Sequence, residues 1–296
     1  MKMESILTHF GIENTRDITQ IHEHAWDIDN TYVLKSNKSR KELDKSIKVN
    51  GLLLSEGVPV IAYLRTTKNK AYVRSVGNFW CLMKKINGTV FDPFIGETTQ
   101  NGILLGKAVA QIHVALKSIE DRMDVNEKTV LEELLSWILP VLKKHDFSFH
   151  EDVIESIHRI DFDALPRQLI HRDIHTSNLL FENNKLTGYI DFDMIQRNIR
   201  IFDIAYLSCS QLVDNYKNPV RLQQWYEIFS GILQGYEEVS SLSQAEIESI
   251  PALFVFIEVL FTAFYLQDGA TETAKNCAAM ANWLHENHTM FAALRP

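Results

Sequence analysis

A short β-hairpin is predicted inside a part of the chain that otherwise has the pattern of helices, and this interruption most constrains the fold. The sequence Leu179–Ile190 predicts a strand, a three-residue loop at Asn183–Lys185 and a returning strand. In that register Asn178 pairs with Ile190. Because the next residue is Asp191, an amide and a carboxylate emerge at the same open end of the hairpin.

The residues on either side of the hairpin have a pattern that is typical of a catalytic site. His171–Asn178 has the sequence HRDIHTSN and matches the spacing H-R-D-x-x-x-x-N at each fixed position. Amide and carboxylate oxygens are hard ligands, so Asn178 and Asp191 suit Mg²⁺. Asp173 stands five residues before Asn178, where it could orient a hydroxyl group and accept its proton. Three spaced elements that meet at one hairpin argue against a chance match.

Composition excludes several other classes of protein. A chain of 296 residues exceeds what one hydrophobic core usually organises, so two lobes are expected. An apolar content of 46% excludes disorder as the main state. Lys and Arg number 30 against 38 Asp and Glu, and a net charge of −8 argues against nucleic acid as the main partner. Cys81, Cys209 and Cys277 are far apart in sequence, which indicates buried thiols in a reducing cytoplasm.

The predicted elements divide the chain near residue 85. Short strands and one helix are predicted before this boundary, and mainly helices after it. The predicted strands of the first part are Ile18–Ile21, Thr31–Ser36, Ala71–Ser75 and Phe79–Lys84. The predicted helices are Lys38–Ser55, Leu105–Leu116, Val130–Leu142, Arg221–Tyr236 and Ala252–Leu266.

One apolar segment raises the question of a membrane span. Ile250–Leu266 is almost wholly apolar, but it is at the short limit for spanning and carries Glu258 at its centre. A helix that is apolar all round is otherwise a buried core helix, which is our prediction here. Met1–Gly11 contains no apolar stretch of signal-peptide length. We therefore expect a cytoplasmic protein with no membrane partner.

Together these residues resemble the aminoglycoside phosphotransferase/choline kinase superfamily, the small-molecule kinases with a protein-kinase-like fold. Five further segments resemble motifs of that family: Tyr32–Lys35, Gly57–Val60, the hinge Cys81–Gly88, Gly106–His113 and Phe202–Tyr206. The resemblance implies an α+β, two-lobed fold. A small N-terminal lobe (residues 1–85) would hold an antiparallel β-sheet and a helix and bind the nucleotide. A larger, mainly helical lobe (86–296) would hold the catalytic residues and the substrate.

The resemblance also implies roles for single residues. Asp173 would be the catalytic base or the group that orients the substrate, and Asn178 and Asp191 would hold Mg²⁺ between the phosphates of ATP or GTP. The nucleotide contacts would fall to Lys35 at the phosphates and, at the hinge, to Met83 and Lys84. Asp203 would be structural, buried and bonded to the backbone of the catalytic loop.

The sequence departs from the family pattern in the first lobe. No glycine-rich loop is present, so the turn between the first strands, His22–Asn30, would have to cover the phosphates. The helix position that usually supplies the acid partner of the lysine is Ser46, and Glu42 or Asp44 could substitute for it. Asp193 replaces the glycine of the D-F-G motif and could bind a second metal ion.

The acceptor is predicted to be a small molecule. Asp203 follows Asp191 by only twelve residues, which leaves no room for the activation segment of a protein kinase. Candidate pocket residues are Asp214, Trp225, Tyr226, Glu258, Tyr265, Asp268 and Glu272. Glu258 is the first to test, because an acid in an apolar helix needs a partner. The alternative hypothesis is a catalytically weak, kinase-like binding or structural protein of the spore-coat type. The acceptor and the oligomeric state stay open.

Overall fold

Five strands lie in the first part of the chain and helices dominate the rest in the computed structural model, which describes residues 3–125, 127–213 and 215–292. The strands in chain order are β1 (Ile18–His22), β2 (Ala25–Ile28), β3 (Tyr32–Asn37), β4 (Val73–Ser75), β5 (Asn78–Lys84), β6 (Arg167–Ile170), β7 (Leu179–Glu182), β8 (Lys185–Tyr189) and β9 (Gln196–Ile199). The helices are α1 (Met3–Leu7), α2 (Arg40–Ser55), α3 (Thr98–Ile119), α4 (Val130–Glu133), α5 (Leu139–Lys144), α6 (Glu151–His158), α7 (Ile201–Leu212), α8 (Pro219–Glu237), α9 (Gln244–Gln267), α10 (Thr271–Glu286) and α11 (His288–Ala292).

The chain divides into two compact units, and the division does not follow one cut in the sequence. The first unit comprises the chain up to Phe91 together with Asp121–Asp124 and Ser177–Met194. The second unit comprises Asp92–Glu120, Val125–Thr176 and the chain from Ile195 onward. The hairpin β7–β8 thus groups with the N-terminal residues. The predicted boundary at residue 85 stays a prediction.

The first unit is built on a five-stranded antiparallel sheet with the strand order β1-β2-β3-β5-β4. Its core contains Leu34, Trp80 and Leu82, and Cys81 and Met83 on the other face of β5 are buried as well. The predicted strands Ala71–Ser75 and Phe79–Lys84 correspond to β4 and β5, which pair as an antiparallel hairpin. Val76 and Gly77 both have positive φ, 49° and 77°, as the tight turns between twisted antiparallel strands require.

The segment His22–Asn30, predicted to be a phosphate-covering turn, contains a strand instead. β2 occupies four of these residues and pairs with β1 and β3. Only residues 23–24 are left for the turn between β1 and β2, and the register shifts between Gln20 and His22. The prediction was wrong because this turn has neither glycine nor asparagine, the usual signal of a two-residue hairpin loop.

The second unit is mainly helical, and α9 runs through it with most of its side chains buried. Two stretches of the described residues, Thr98–Arg122 and Gln244–Gln267, are long and apolar enough to cross a membrane on length and composition. Within the structure 56% and 67% of their apolar windows are buried. Ile250–Leu266 thus has the burial of a helix packed inside protein, as predicted.

The predicted helix Val130–Leu142 is not continuous. Leu134–Ile138 is a π-helical segment between α4 and α5, and the Leu139 amide donates to the carbonyl of Leu134. Pro140 explains the change, because proline has no N–H to donate to the carbonyl four residues earlier. The apolar stripe thus predicted correctly that Val130–Leu142 is helical. It did not predict the π-helical turn that precedes Pro140.

Two pairs of glycines let α3 and α8 approach each other at backbone distance. Gly102 and Gly106 lie on α3, and Gly231 and Gly235 lie on α8. A Cβ atom on Gly106 would lie 2.0 Å from the carbonyl oxygen of Ile232, which is backbone and cannot rotate away. The crossing therefore requires residues without a side chain at these positions.

We expect Gly106→Ala to lower the free energy of unfolding by about 2–3 kcal/mol, because the added methyl group overpacks a contact between two backbones. Chemical denaturation measures this change. Gly51→Ala is the matched control, since Gly51 lies inside α2 and a Cβ there would meet no atom within 4 Å. That control should gain about 0.5–1 kcal/mol from helix propensity. Equal stability of Gly106→Ala and the wild type would contradict the close packing of the two helices.

Candidate active site

The ammonium group of Lys35 lies between two carboxylates of the first unit. Lys35 is on β3, which lies between β2 and β5 in the sheet. Its Nζ is 3.0 Å from Asp191 Oδ1 and 2.8 Å from Asp193 Oδ2. Burial disfavours the charged form, but the two carboxylates outweigh this effect and raise the pKa of Lys35 above its usual value. Lys35 therefore carries a fixed positive charge at the turn that follows β8.

The hairpin β7–β8 brings Asn178 and Asp191 to one end by a different loop from the predicted one. Residues 183–184 form a two-residue turn with φ of 51° and 59°, so the three-residue loop was wrong. The register then shifts along the hairpin, which leaves Thr187 as an extra residue on β8. The shift restores the predicted alignment at the open end, where the Ile190 amide donates to the Asn178 carbonyl at 3.1 Å.

The donor atoms at this end fit a divalent cation with an incomplete protein ligand set. The side chain of Asp191 is 43% exposed and its φ is +65°, while Asn178 is buried. In the part of the chain that the structure describes, no three His, Cys, Asp or Glu side chains are grouped as a metal site. One amide and one carboxylate suit Mg²⁺ if water and phosphate oxygens complete the shell. The metal roles of Asn178 and Asp191 stay predictions.

The predicted hinge residues lie at the end of β5. Met83 pairs with Val33 on β3 and forms a bridge with Tyr63 on its other side. The amide of Lys84 donates to the carbonyl of Ala62 at 3.1 Å. The backbone here is thus fixed within the first unit, and the adenine contact of Met83 and Lys84 stays a prediction.

Asp203 holds the start of the loop 171–176 of the second unit, which carries the predicted catalytic residue Asp173. It is fully buried on α7, and its carboxylate accepts hydrogen bonds from the amides of His171 and Arg172, both at 2.9 Å. His113 Nε2 lies 3.0 Å from the same carboxylate, and His113 Nδ1 lies 2.9 Å from the hydroxyl of Tyr236. The structural role implied for Asp203 agrees with these contacts. His113 is a core histidine with a partner at each ring nitrogen.

The side chain of Arg172 fixes the same loop from another direction. Its guanidinium donates to Glu133 and lies 3.8 Å from the centre of the Phe202 ring. Arg172 has a φ of +73°, a conformation that costs free energy for a residue with a Cβ atom. The ion pair and the ring contact stabilise this backbone, so the residue before Asp173 has a defined orientation.

Asp173 is bonded to a tyrosine of α7. The hydroxyl of Tyr206 donates to Asp173 Oδ1 at 2.9 Å, and His175 Nε2 lies 3.9 Å from the other carboxylate oxygen. Burial and the charge of Asp173 raise the pKa of Tyr206, so the hydroxyl keeps its proton and stays a donor. About a third of the Asp173 side chain (33%) is exposed, which leaves room for a ligand.

A cavity of about 510 Å³ lies in the second unit, and Tyr206 is part of its wall. Three of its aromatic rings stack in series. The ring centres of Tyr206 and Phe261 are 5.8 Å apart, and those of Phe261 and Tyr265 are 6.1 Å apart. A volume of this size accommodates a small organic molecule.

Glu258 lines the same cavity and is only 3% exposed. The thiol of Cys209 donates to Glu258 Oε1 at 3.3 Å, and the thiol of Cys277 also bonds to this carboxyl group. Burial raises the pKa of Glu258 to about 7, and the two thiols partly oppose the rise. Cys81, Cys209 and Cys277 are all free thiols; the first two are buried, as predicted, whereas Cys277 is only partly buried.

Two of the candidate pocket residues, Glu258 and Tyr265, line this cavity. Asp214 lies outside the described residues. Trp225 is instead part of the core, where its indole N–H donates to the carbonyl of Ser208 at 2.8 Å. Tyr226, Asp268 and Glu272 are described, but the cavity lining does not include them.

Neither Tyr206 nor Cys277 was predicted from the sequence as a pocket residue. A signal for Tyr206 existed, because Asp203, Tyr206 and Cys209 follow one another at a spacing of three on α7 and share one helix face. Cys277 lies on α10, and its approach to Glu258 depends on how α9 and α10 pack. Packing between helices is tertiary information, which helical periodicity does not contain.

The five-stranded sheet, the loop bonded to Asp203 and the hairpin β7–β8 define a protein-kinase-like phosphotransferase fold. The amicoumacin kinase hAmiN, solved in complex with AMP-PNP, Ca²⁺ and Ami, is 18% identical with a TM-score of 0.65 and coverage of 91% of this chain and 88% of that one. A microcompartment-associated aminopropanol kinase is 16% identical with a TM-score of 0.68, over 99% and 98% of the two chains. The predicted fold class is confirmed.

The chain belongs to the APH family, described as "Phosphotransferase enzyme family", which it matches over residues 21–240. Homoserine kinase of Zymomonas mobilis subsp. mobilis is 22% identical over 223 residues, 73% of this chain and 68% of that protein. The match to homoserine kinase of Rhizobium johnstonii covers only 36% of that protein. The predicted family is confirmed, and the protein is an enzyme of the small-molecule kinase class.

Proposed function

We propose that the protein transfers the γ-phosphate of ATP to a hydroxyl group of a small molecule that carries an amine. One observation carries the proposal: the hydroxyl of Tyr206 contacts Asp173, while the same residue lines the cavity. The carboxylate of Asp173 can therefore accept the hydroxyl proton of an acceptor that binds in this cavity.

The side chains divide the reaction among them. Asp173 accepts the proton of the acceptor hydroxyl as the new bond from oxygen to phosphorus forms and the bond to the leaving ADP oxygen breaks. Lys35 binds phosphate oxygens through its fixed positive charge. Asn178 and Asp191 would hold a divalent cation, which would neutralise phosphate charge. Orientation and charge neutralisation supply most of the rate in phosphoryl transfer.

The nucleotide and the metal are assigned from two supporting observations. The structure of hAmiN contains AMP-PNP and Ca²⁺, so a similar fold accommodates a triphosphate analogue and a divalent cation. The oxygen donors of Asn178 and Asp191 are those that Mg²⁺ prefers, and an ion with two protein ligands takes phosphate oxygens as further ligands. We therefore assign ATP and Mg²⁺ to this enzyme.

A small acceptor is favoured over a protein by the short connection after Asp191. Phe192–Met194 is a single turn, β9 follows and pairs with β6, and α7 begins at Ile201. These elements use most of the connection. No length is left in it for the segment on which protein kinases bind a peptide.

An amine on the acceptor is favoured by the lining of the cavity. Glu258 supplies a carboxyl group to the cavity wall, and the aromatic rings of Tyr206, Phe261 and Tyr265 line the same wall. The relatives support this class, because homoserine and aminopropanol both combine an amine with a hydroxyl group. Each is small enough for a cavity of about 510 Å³.

A screen of acceptors tests the proposal. ADP release is followed with ATP and Mg²⁺ over a panel that pairs amino alcohols, such as homoserine and aminopropanol, with isosteric alcohols that lack the amine. Acceptor-dependent release only with amino alcohols is the expected result. Metal-dependent ATP binding with no turnover over the whole panel favours the weakly catalytic binding protein, and turnover of amine-free alcohols alone contradicts the amine.

Glu258→Gln is expected to change both stability and acceptor binding with pH. The pKa of Glu258 is about 7 in the folded protein, against 4.5 for a glutamate in water, so the wild type loses stability as pH rises from about 4.5 to 7. The loss, about 3 kcal/mol in all, should vanish in the variant. Cys209 and Cys277, the groups bonded to Glu258, have raised pKa values and stay neutral in this range.

Unfolding in denaturant at pH 5 and pH 8 measures the stability change, and KM for the amino alcohol is measured at both pH values. KM of the wild type should fall with pH as Glu258 ionises, and this fall should be absent in Glu258→Gln. Glu272→Gln removes an exposed acid on α10 and is the matched control. The same pH dependence in wild type and Glu258→Gln would contradict the assignment.

A further inference from the structure

The acid partners of Lys35 come from the turn after β8 and not from helix α2. Within residues 3–125, 127–213 and 215–292, its carboxylate partners are Asp193 at 2.8 Å and Asp191 at 3.0 Å. Asp193 makes the shorter contact, and 29% of its side chain is exposed. Two carboxylates thus share one ammonium group.

Helix α2 uses its polar side chains elsewhere. Ser46, the position at which an acid was expected, bonds to the hydroxyl of Tyr63 at 2.9 Å. Asp44 pairs with Arg40 of the same helix at 3.2 Å. Glu42 is exposed in the first turn of the helix, where its amide is bonded to the capping residue. The two acids expected to substitute, Glu42 and Asp44, are therefore not the ion-pair partners of Lys35.

A second lysine stands on the side of α2 that faces this turn. Lys45 is half-buried, and Asp193 attracts its charge. Burial lowers the pKa of Lys45, and the attraction of Glu42 and Asp193 opposes this change. Helix α2 thus supplies a second cation, and the charge of Asp193 attracts both Lys35 and Lys45.

We infer that Asp193 is the positioning residue for Lys35. It takes the role that the family resemblance gives to an acid on helix α2, which is to pair with the lysine and orient it. The inference rests on the proposed function, in which Asp191 faces a divalent cation. A carboxylate that holds a cation has less charge to offer Lys35, whereas Asp193 still holds the ammonium group towards the phosphates. Asp193 then serves Lys35 and not a second metal ion, the role considered for it from the sequence.

A double-mutant cycle tests the inference on the full chain. Binding of ATP with Mg²⁺ is measured by calorimetry for wild type, Asp193→Asn, Lys35→Ala and the double variant. Each single change should weaken binding about tenfold, since each removes a charge-assisted contact. The double variant should be no weaker than Lys35→Ala, because Asp193 acts through Lys35. In kinetics, KM for ATP should rise more than kcat falls.

Four measurements make the test decisive. Asp44→Asn is the matched control, since it removes an exposed acid of the first unit and should leave binding unchanged. The melting temperature identifies variants that fail to fold, and Asp193→Glu, which keeps the charge, should recover part of the affinity. Titration with Mg²⁺ at fixed ATP should give the same half-saturation for Asp193→Asn and wild type.

The contrary outcomes separate the two ideas. Additive losses in the cycle, or a higher Mg²⁺ requirement in Asp193→Asn, would overturn the inference and favour a second metal site. ATP binding with an intact cycle but no acceptor turnover would overturn the proposed function alone. A wild type that binds no ATP in the presence of Mg²⁺ would overturn both.

Discussion

Asp173→Asn is expected to lower kcat about 10³-fold while leaving the affinity for ATP and Mg²⁺ unchanged. Asparagine has nearly the same shape and can still accept the hydrogen bond that Tyr206 donates. It cannot take a proton from the acceptor hydroxyl, so the chemical step is slowed but binding is not. ADP release in the presence of an acceptor measures the first quantity, and calorimetry with ATP measures the second.

Tyr206→Phe is the matched control for this prediction. It removes the hydroxyl that orients Asp173 but keeps the ring in the cavity wall and leaves the carboxylate in place. A loss of about 10–100-fold in kcat is expected, in line with one hydrogen bond to a charged group, which contributes about 1.5–3 kcal/mol. If Asp173→Asn retained a tenth or more of wild-type kcat, Asp173 would not be the base.

Asp203→Ala is expected to lower the free energy of unfolding by about 3–4 kcal/mol. The change leaves the amides of His171 and Arg172 and the ring of His113 without the buried acceptor that they share. Since these amides set the path of the catalytic loop, kcat should also fall about 10²-fold. Chemical denaturation and steady-state kinetics measure the two effects.

Asp203→Asn and Asp163→Asn complete this comparison. The first keeps the volume but turns one acceptor into a donor that faces a donor, so its stability should lie between those of Asp203→Ala and wild type. The second removes an exposed acid of the same unit and should change the stability by less than about 0.5 kcal/mol. Wild-type stability of Asp203→Ala would contradict the role of Asp203 in the loop.

The alignment of Asn178 with Ile190 was predictable from sequence, although the loop was not. The strands are limited by apolar runs, but the register also depends on loop length, and a two-residue loop alone would align Asn178 with Tyr189. A three-residue loop and a two-residue loop with one extra residue at Thr187 give the same pairing at the open end. Residues 183–184 are both asparagine, which tolerates positive φ, and this chemistry favoured the shorter loop.

The strands β6 and β9 were not predicted because each has four residues and they pair with each other. Arg167–Ile170 and Gln196–Ile199 are separated by the whole hairpin, so no local turn signal joins them. The partner of Lys35 was not predicted either, because no local signal in the sequence indicates it. Asp193 is 158 residues from Lys35 in sequence, and a single chain contains no record of such a contact.

The contact between α3 and α8 has a consequence for how this sequence can change over time. Gly102 and Gly106 have the same spacing as Gly231 and Gly235, and a methyl group at any of the four would meet backbone within about 2.3 Å. None of these glycines can be replaced alone by a larger residue, since no side-chain rearrangement makes room for its Cβ atom. Distant relatives that keep this helix crossing should therefore keep small residues at both pairs, even where the residues around the acceptor have diverged.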